Sequence, residues 1–174
     1  GYDVLVMDTA LSSHLVNKLE QSNTDVTFAR IDSDTIEKLI LKDEELPSKL
    51  SKDEEEKLKP IIEGLVNSTT YNVQFESLSE KDAPIQITQS EFMRRMVEMQ
   101  KVGGQGGFMG SMPESYNLVV NSNHALVGKI LNEGDLKNQK TLAKQATDLA
   151  LLSVGLLKGK ELTEFINRSL EIIE

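Results

Sequence analysis

The chain has 174 residues, 39% of them hydrophobic, and 28 acidic against 19 basic side chains give a formal net charge of -9. That length suits one ordinary domain, or a small domain with part of another, while the acidic balance without a Lys/Arg block argues against nucleic-acid backbones or anionic membranes as main partners. The lack of cysteine excludes disulfides, thiol catalysis and thiolate metal sites, fits a reducing compartment, and makes the cytoplasm the expected location.

The longest nearly apolar run, Leu149 to Leu157, falls well short of the roughly twenty residues a helix needs to span a bilayer. A leader of charged then apolar residues is not visible either, so a soluble protein is expected. The chain opens at Gly1 and enters apolar sequence at once, which reads as a piece of a longer protein.

Tyr2 to Met7 has the near-continuous apolar character of a buried strand, Leu11, Leu15, Val16 and Leu19 repeat at helical spacing, and Val26 to Ile31 alternates. Strand, helix and strand in this order predict a small βαβ unit. A short helix with Ile36, Leu39 and Ile40 should follow Asp32 and Asp34, whose charges complement its dipole.

From Lys42 to Lys59 the composition shifts to seven acidic and five basic residues around Pro47, marking a domain boundary and a solvated helix start. Ser51 and Glu54 match a capping box ahead of Leu58, Ile61, Ile62 and Leu65, with Pro60 expected to bend or restart that helix. Tyr71, Val73 and Phe75 on one face, and the shorter Ile85 to Ile87, predict two half-buried strands.

Ser90 to Pro113 holds five of the six methionines. Read at about 100° per residue, Phe92, Met93, Met96, Val97 and Met99 form an apolar stripe, with Glu91, Arg94, Arg95, Glu98 and Lys101 opposite. Methionine is flexible and polarisable, so such a stripe suits a surface that accepts varied apolar partners, and equally suits the gaps of a core. Both readings stay open on periodicity alone. Gly103, Gly104, Gly106 and Gly107 then break any helix and predict a flexible tether.

Tyr116 to Val120 reads as another strand, Asn121 to Asn123 as caps for a helix through Leu126, Val127 and Ile130, and Gly134 as its end. A long helix is expected over Thr141 to Leu157, and after Gly159 an amphipathic one with Leu162, Phe165, Ile166, Leu170, Ile172 and Ile173. One protomer can hardly cover so much apolar surface. Pairing these helices with their copies in a homodimeric four-helix bundle is the economical arrangement. The expected interface comprises Leu149, Leu152 and Leu156 on the first helix and Leu162, Phe165, Ile166, Leu170 and Ile173 on the second.

Catalytic ingredients are scarce. His14 reads as a surface residue, and His124, in Asn-Ser-Asn-His, as a hydrogen-bonding partner of backbone at a helix start. The sequence has no His-x-x-x-His pair, and the glycine stretch matches neither the dinucleotide nor the phosphate-loop pattern. The acidic run Asp53 to Glu56 gives no reason for a raised carboxyl pKa. No catalytic, cofactor or metal residue is expected.

The order of elements and three segments, GYDVLVMDTALSSHLVNKLE, FMGSMPESYNLVVNSNHALV and FINRSLEIIE, resemble the ninety-kilodalton heat-shock chaperone family in its bacterial form. The resemblance covers essentially the whole chain, with Asn121 to Val127 and Phe165, Ile166 and Arg168 at the family's motif positions; Ala125 departs from the usual proline. It implies the α+β end of the middle domain over residues 1–47 and a C-terminal dimerisation domain over 48–174. It implies an intersubunit four-helix bundle, and a client-contacting helix carrying Phe92, Met93, Met96 and Met99. ATP and magnesium would belong to parts of the parent outside this chain, so this portion would not itself be an enzyme; its partners would be its own copy and non-native clients. The alternative is a purely structural homodimerisation module whose Met-rich helix packs in its own core.

Overall fold

In a computed structural model, residues 4–7, 12–31, 33–35, 38, 46–90, 92–95 and 114–173 are described. Along them run α1 (Ser12–Ser22), α2 (Lys52–Glu63), β1 (Tyr71–Glu76), β2 (Ile85–Thr88), β3 (Tyr116–Asn121), α3 (Ala125–Asn132), α4 (Leu136–Ser153) and α5 (Gly159–Ile173). The class is α+β, as the sequence predicts.

The three strands form one sheet in the order β1-β3-β2, with β3 parallel to β1 and antiparallel to β2. The register places Val73 and Ile87 on either side of Leu118, and Phe75 and Ile85 on either side of Val120. One face of the sheet is therefore apolar across all three strands. β3 is central and buries Leu118, Val119 and Val120 completely, which is why these three consecutive positions are all apolar rather than alternating. Tyr71 and Tyr116, paired in register, stack with ring centroids 5.7 Å apart.

Helices cover the apolar face. α2 packs on β1 and α4 on β2, while α5 and α3 pack on α4. α2 starts at the predicted capping box: Ser51 Oγ accepts from the Glu54 amide, and the Glu54 carboxylate accepts from the Ser51 amide at 2.8 Å. It continues through Pro60 and buries Leu58 and Ile62, spaced i, i+4 on one face.

Several expectations need correction. Neither 4–7 nor 26–31 forms a strand, so the βαβ unit is replaced by one helix flanked by unpaired segments. Apolar content alone does not make a strand; a neighbouring edge must supply the ladder. Val4, Leu5 and Val6 lie exposed, and the Phe28 backbone bonds instead to side chains, its amide to Glu20 Oε1 and its carbonyl to Arg95. The helix expected around Ile36, Leu39 and Ile40 lies outside the described residues, as does the Gly103–Gly107 tether.

The cap of α3 is His124 rather than the asparagines, its Nδ1 accepting from the Leu126 amide at 3.0 Å. α4 begins earlier than Thr141, because Asp135 Oδ1 accepts from the amides of Lys137 and Asn138 and starts the helix there. It also stops before Leu157, at a turn where Gly155 takes φ 72°. Gly159, with φ 58°, opens α5 at the predicted break.

Candidate functional site

Residues 92–95 form the first helical turn of the Met-rich segment, with the Arg94 amide bonded to the Ser90 carbonyl. Phe92 is 67% exposed and Met93 is half-buried. Met96 and Met99 lie outside the described residues.

Arg95, expected on the polar face, is instead tied to the other end of the chain. Its two terminal nitrogens grip the two Glu20 carboxylate oxygens at 2.7 and 3.2 Å. The same nitrogens reach Asn17 Oδ1 and the Phe28 carbonyl, each at 3.0 Å. Glu20 also accepts from the Phe28 amide at 2.8 Å. The Arg95 guanidinium first, and the Phe28 amide second, hold the Glu20 carboxyl below its ordinary value. No sequence pattern links positions 20 and 95, and this anchor was not foreseen.

The C-terminal helices present two different faces. Inward, Ala143, Ala146, Ala150, Leu151 and Phe165 join the sheet-side core. Outward, Leu149 and Leu152 on α4, and Ile166, Leu170 and Ile173 on α5, stand in water, from 40% exposed at Leu152 to 81% at Ile173. Val154 is exposed beside them in sequence. Of the residues expected at the interface, Phe165 is thus buried in the protomer's own core, and Leu156 and Leu162 pack half-buried against that core.

A buried polar cluster fixes α5 on α4. Asp148, 1% exposed, accepts from Lys144 Nζ at 2.5 Å and is paired with Arg168. The Arg168 Nε donates to Gln145 Oε1 at 2.8 Å, and the guanidinium lies 5.9 Å from the centre of the Phe165 ring. Gln145 Nε2 donates to Ser169 Oγ at 2.7 Å, and that hydroxyl donates to the Phe165 carbonyl. Every member has a partner, so the cluster sets one rotation of α5, the rotation that leaves Ile166 and Leu170 outward. Asp148, at the edge of the apolar run Leu149 to Leu157, was the available signal for it.

The Asn-Ser-Asn-His segment is structural. Asn121 Nδ2 donates to the Ser79 carbonyl and Asn123 Nδ2 to the Leu78 carbonyl, while Asn123 Oδ1 accepts from the Lys49 amide at 2.7 Å. Ser122 Oγ donates to Glu55 Oε1. The end of the central strand is thereby stitched to two loops and to α2. His14 is exposed on α1. Among the described residues no helix is long and apolar enough to cross a membrane, and no group of three His, Cys, Asp or Glu side chains could hold a metal ion.

No family model matches the chain. It is similar to "Chaperone protein HtpG" of Porphyromonas gingivalis, 32% identical over 99% of this chain and 35% of that protein. It is also similar to HtpG of Bacteroides thetaiotaomicron, 29% identical, and of Bacteroides fragilis, 30% identical, with the same coverage. The chain therefore spans about a third of the length of the curated relatives it matches. The alignment runs over 240 residues against 174 in this chain. Over 99% of its length the chain is thus similar to part of the bacterial HtpG chaperones, the family that the motifs at Asn121 to Val127 and Phe165 to Arg168 resemble.

Proposed function

We propose that the chain is the dimerisation and client-binding portion of an ATP-dependent chaperone, working as a homodimer on non-native proteins. The observation that carries this reading is the pair of outward apolar stripes on α4 and α5. Leu149, Leu152, Val154, Ile166, Leu170 and Ile173 together leave the equivalent of about three whole side chains per protomer in water. Covering them twice over across a two-fold axis gains roughly 10 to 18 kcal/mol at about 1.5 to 3 kcal/mol per side chain. That offsets an association cost of roughly 4 to 15 kcal/mol, so a second copy is an adequate partner.

Client engagement is assigned to Phe92, Met93, Met96 and Met99. Exposed Phe92 supports it, and two weak apolar segments in one dimer would act jointly by avidity. Nucleotide and magnesium binding are assigned to parts of the parent outside this chain, with no catalytic residue here, and the cytoplasm is the proposed location.

The test is mass by light scattering at micromolar concentration. The wild-type chain should give twice 19.4 kDa, and the Leu152→Ser, Ile166→Ser, Leu170→Ser triple variant the single mass. A wild-type monomer would end the dimer reading. Serine at Phe92, Met96 and Met99 should weaken suppression of client aggregation while leaving the melting temperature nearly unchanged; if the domain melts instead, those side chains are core.

A further inference from the structure

We propose that Arg95 is a positioning residue: its grip on Glu20, Asn17 and the Phe28 carbonyl fixes where the Met-rich segment leaves the fold, and so couples client engagement to α1. This rests on the client-binding reading above and adds to it a device that sets the segment's placement.

Three features of the geometry carry it. The first is position, because Arg95 lies three residues after Phe92 in the helical turn 92–95 that opens the Met-rich segment. A restraint there fixes the bearing of that turn. The second is the fork itself. Two guanidinium nitrogens on two carboxylate oxygens fix orientation as well as distance, which a single point contact does not. The third is closure. Glu20 holds the Phe28 amide while Arg95 holds the Phe28 carbonyl, so the helix α1, the 26–31 segment and the first turn of the Met-rich segment meet in one ring of hydrogen bonds. Arg95 and Glu20 are both about four-fifths shielded, so water and salt compete weakly for them. The residues between 26 and 31 form no ladder of their own, and this side-chain ring stands in the place of one.

The consequence is mechanical. Phe92 sits one helical turn before Arg95, with its side chain outward. When the ring is closed, Phe92 has a defined bearing relative to α1; when it opens, Phe92 loses it. Two client-binding segments in a dimer benefit from joint engagement only if both point to the same space, since effective concentration collapses when geometry forbids simultaneous contact.

The test uses the whole chain and reduced insulin, whose freed B chain aggregates; the reductant cannot affect a chain without cysteine. Arg95→Glu should require about tenfold more chain to keep insulin in solution, with the dimer mass and the melting of the core unchanged. Glu20→Ala, which removes the other half of the grip, should cause a comparable loss, and Glu20→Ala with Arg95→Glu no further one. Spin labels at Lys18→Cys and Phe92→Cys, diluted into unlabelled chain, provide a readout independent of any client. Their distance distribution should be narrow with Glu20 and Arg95 in place and at least twofold broader with either Arg95→Glu or Glu20→Ala. Equal widths in all three chains, or full suppression retained by Glu20→Ala, would overturn the proposal. Phe92→Ser separates the two readings: if it leaves suppression intact, the client reading fails, and the label distances alone decide whether Arg95 positions the segment.

Discussion

Replacing Arg168 with methionine removes one of the two cations around Asp148, a carboxylate with almost no exposure. Breaking a buried ion pair by deleting one partner costs roughly 3 to 5 kcal/mol when the remaining charge is left alone. Here Lys144 stays at 2.5 Å and can reach water, being about a quarter exposed, so roughly half of that cost is expected, or about 2 kcal/mol. The lost bond to Gln145 and the contact with the Phe165 ring add about 1 kcal/mol. A total of about 3 kcal/mol corresponds to a shift of roughly 150-fold in the folding equilibrium. Urea unfolding at one fixed protomer concentration measures it, since the proposed dimerisation would make the midpoint concentration-dependent. The Asp148→Leu, Arg168→Met double variant should be more stable than the two single losses summed, with a coupling of at least about 1 kcal/mol. A single-variant loss under about 0.5 kcal/mol, or strict additivity, would refute the claim that this cluster sets the rotation of α5.

Three further outcomes follow from other parts of the structure. Asn123→Leu leaves the Lys49 amide and the Leu78 carbonyl without their buried partner and should cost about 2 to 4 kcal/mol in urea unfolding; a loss below 1 kcal/mol would count against the stitching role. Gly155→Ala should cost about 1 kcal/mol for backbone conformation alone, because φ is 72° and an added methyl meets nothing within 4 Å; an unchanged midpoint would refute it. Glu20 is held below its ordinary value of 4.5, so its contribution to docking is fully present above that pH and is lost as pH falls through the lowered value. The Phe28 amide, followed by nuclear magnetic resonance, should therefore titrate below 4.5, and a midpoint at or above that value would contradict the Arg95 grip.

Local signals in the sequence located most of the elements and few of their partners. The alternation of Tyr71, Val73 and Phe75 and the apolar residues of Tyr116 to Val120 mark two strands, and the sheet pairs them side by side. That β3 lies between β1 and β2 is a long-range choice that neither run encodes. The start of α4 was misplaced because its first turns, Leu136 to Lys140, are largely exposed and polar, so hydrophobic periodicity has nothing to report there; the Asp135 cap was the signal. His124, read from the sequence as a hydrogen-bonding partner of backbone at a helix start, is the cap of α3, while the neighbouring Asn121 and Asn123 are occupied by loop carbonyls. The apolar excess of the last two helices was legible as a need for cover. Which half each residue serves was not: Leu149 and Leu152 face out, whereas Leu151 and Phe165 face in. The Arg95 ring spans 75 positions of sequence, and no periodicity reaches that far.

The central claim is that the outward stripes of α4 and α5 meet the same stripes of a second copy. Nuclear Overhauser contacts in a sample mixing two differently isotope-labelled batches of the chain test it most directly, because only contacts between protomers then give a signal. The account predicts such contacts among the methyl groups of Leu152, Ile166 and Leu170, all exposed in the protomer. Contacts between protomers confined to other surfaces, or none at a concentration where the mass is that of a dimer, would contradict it.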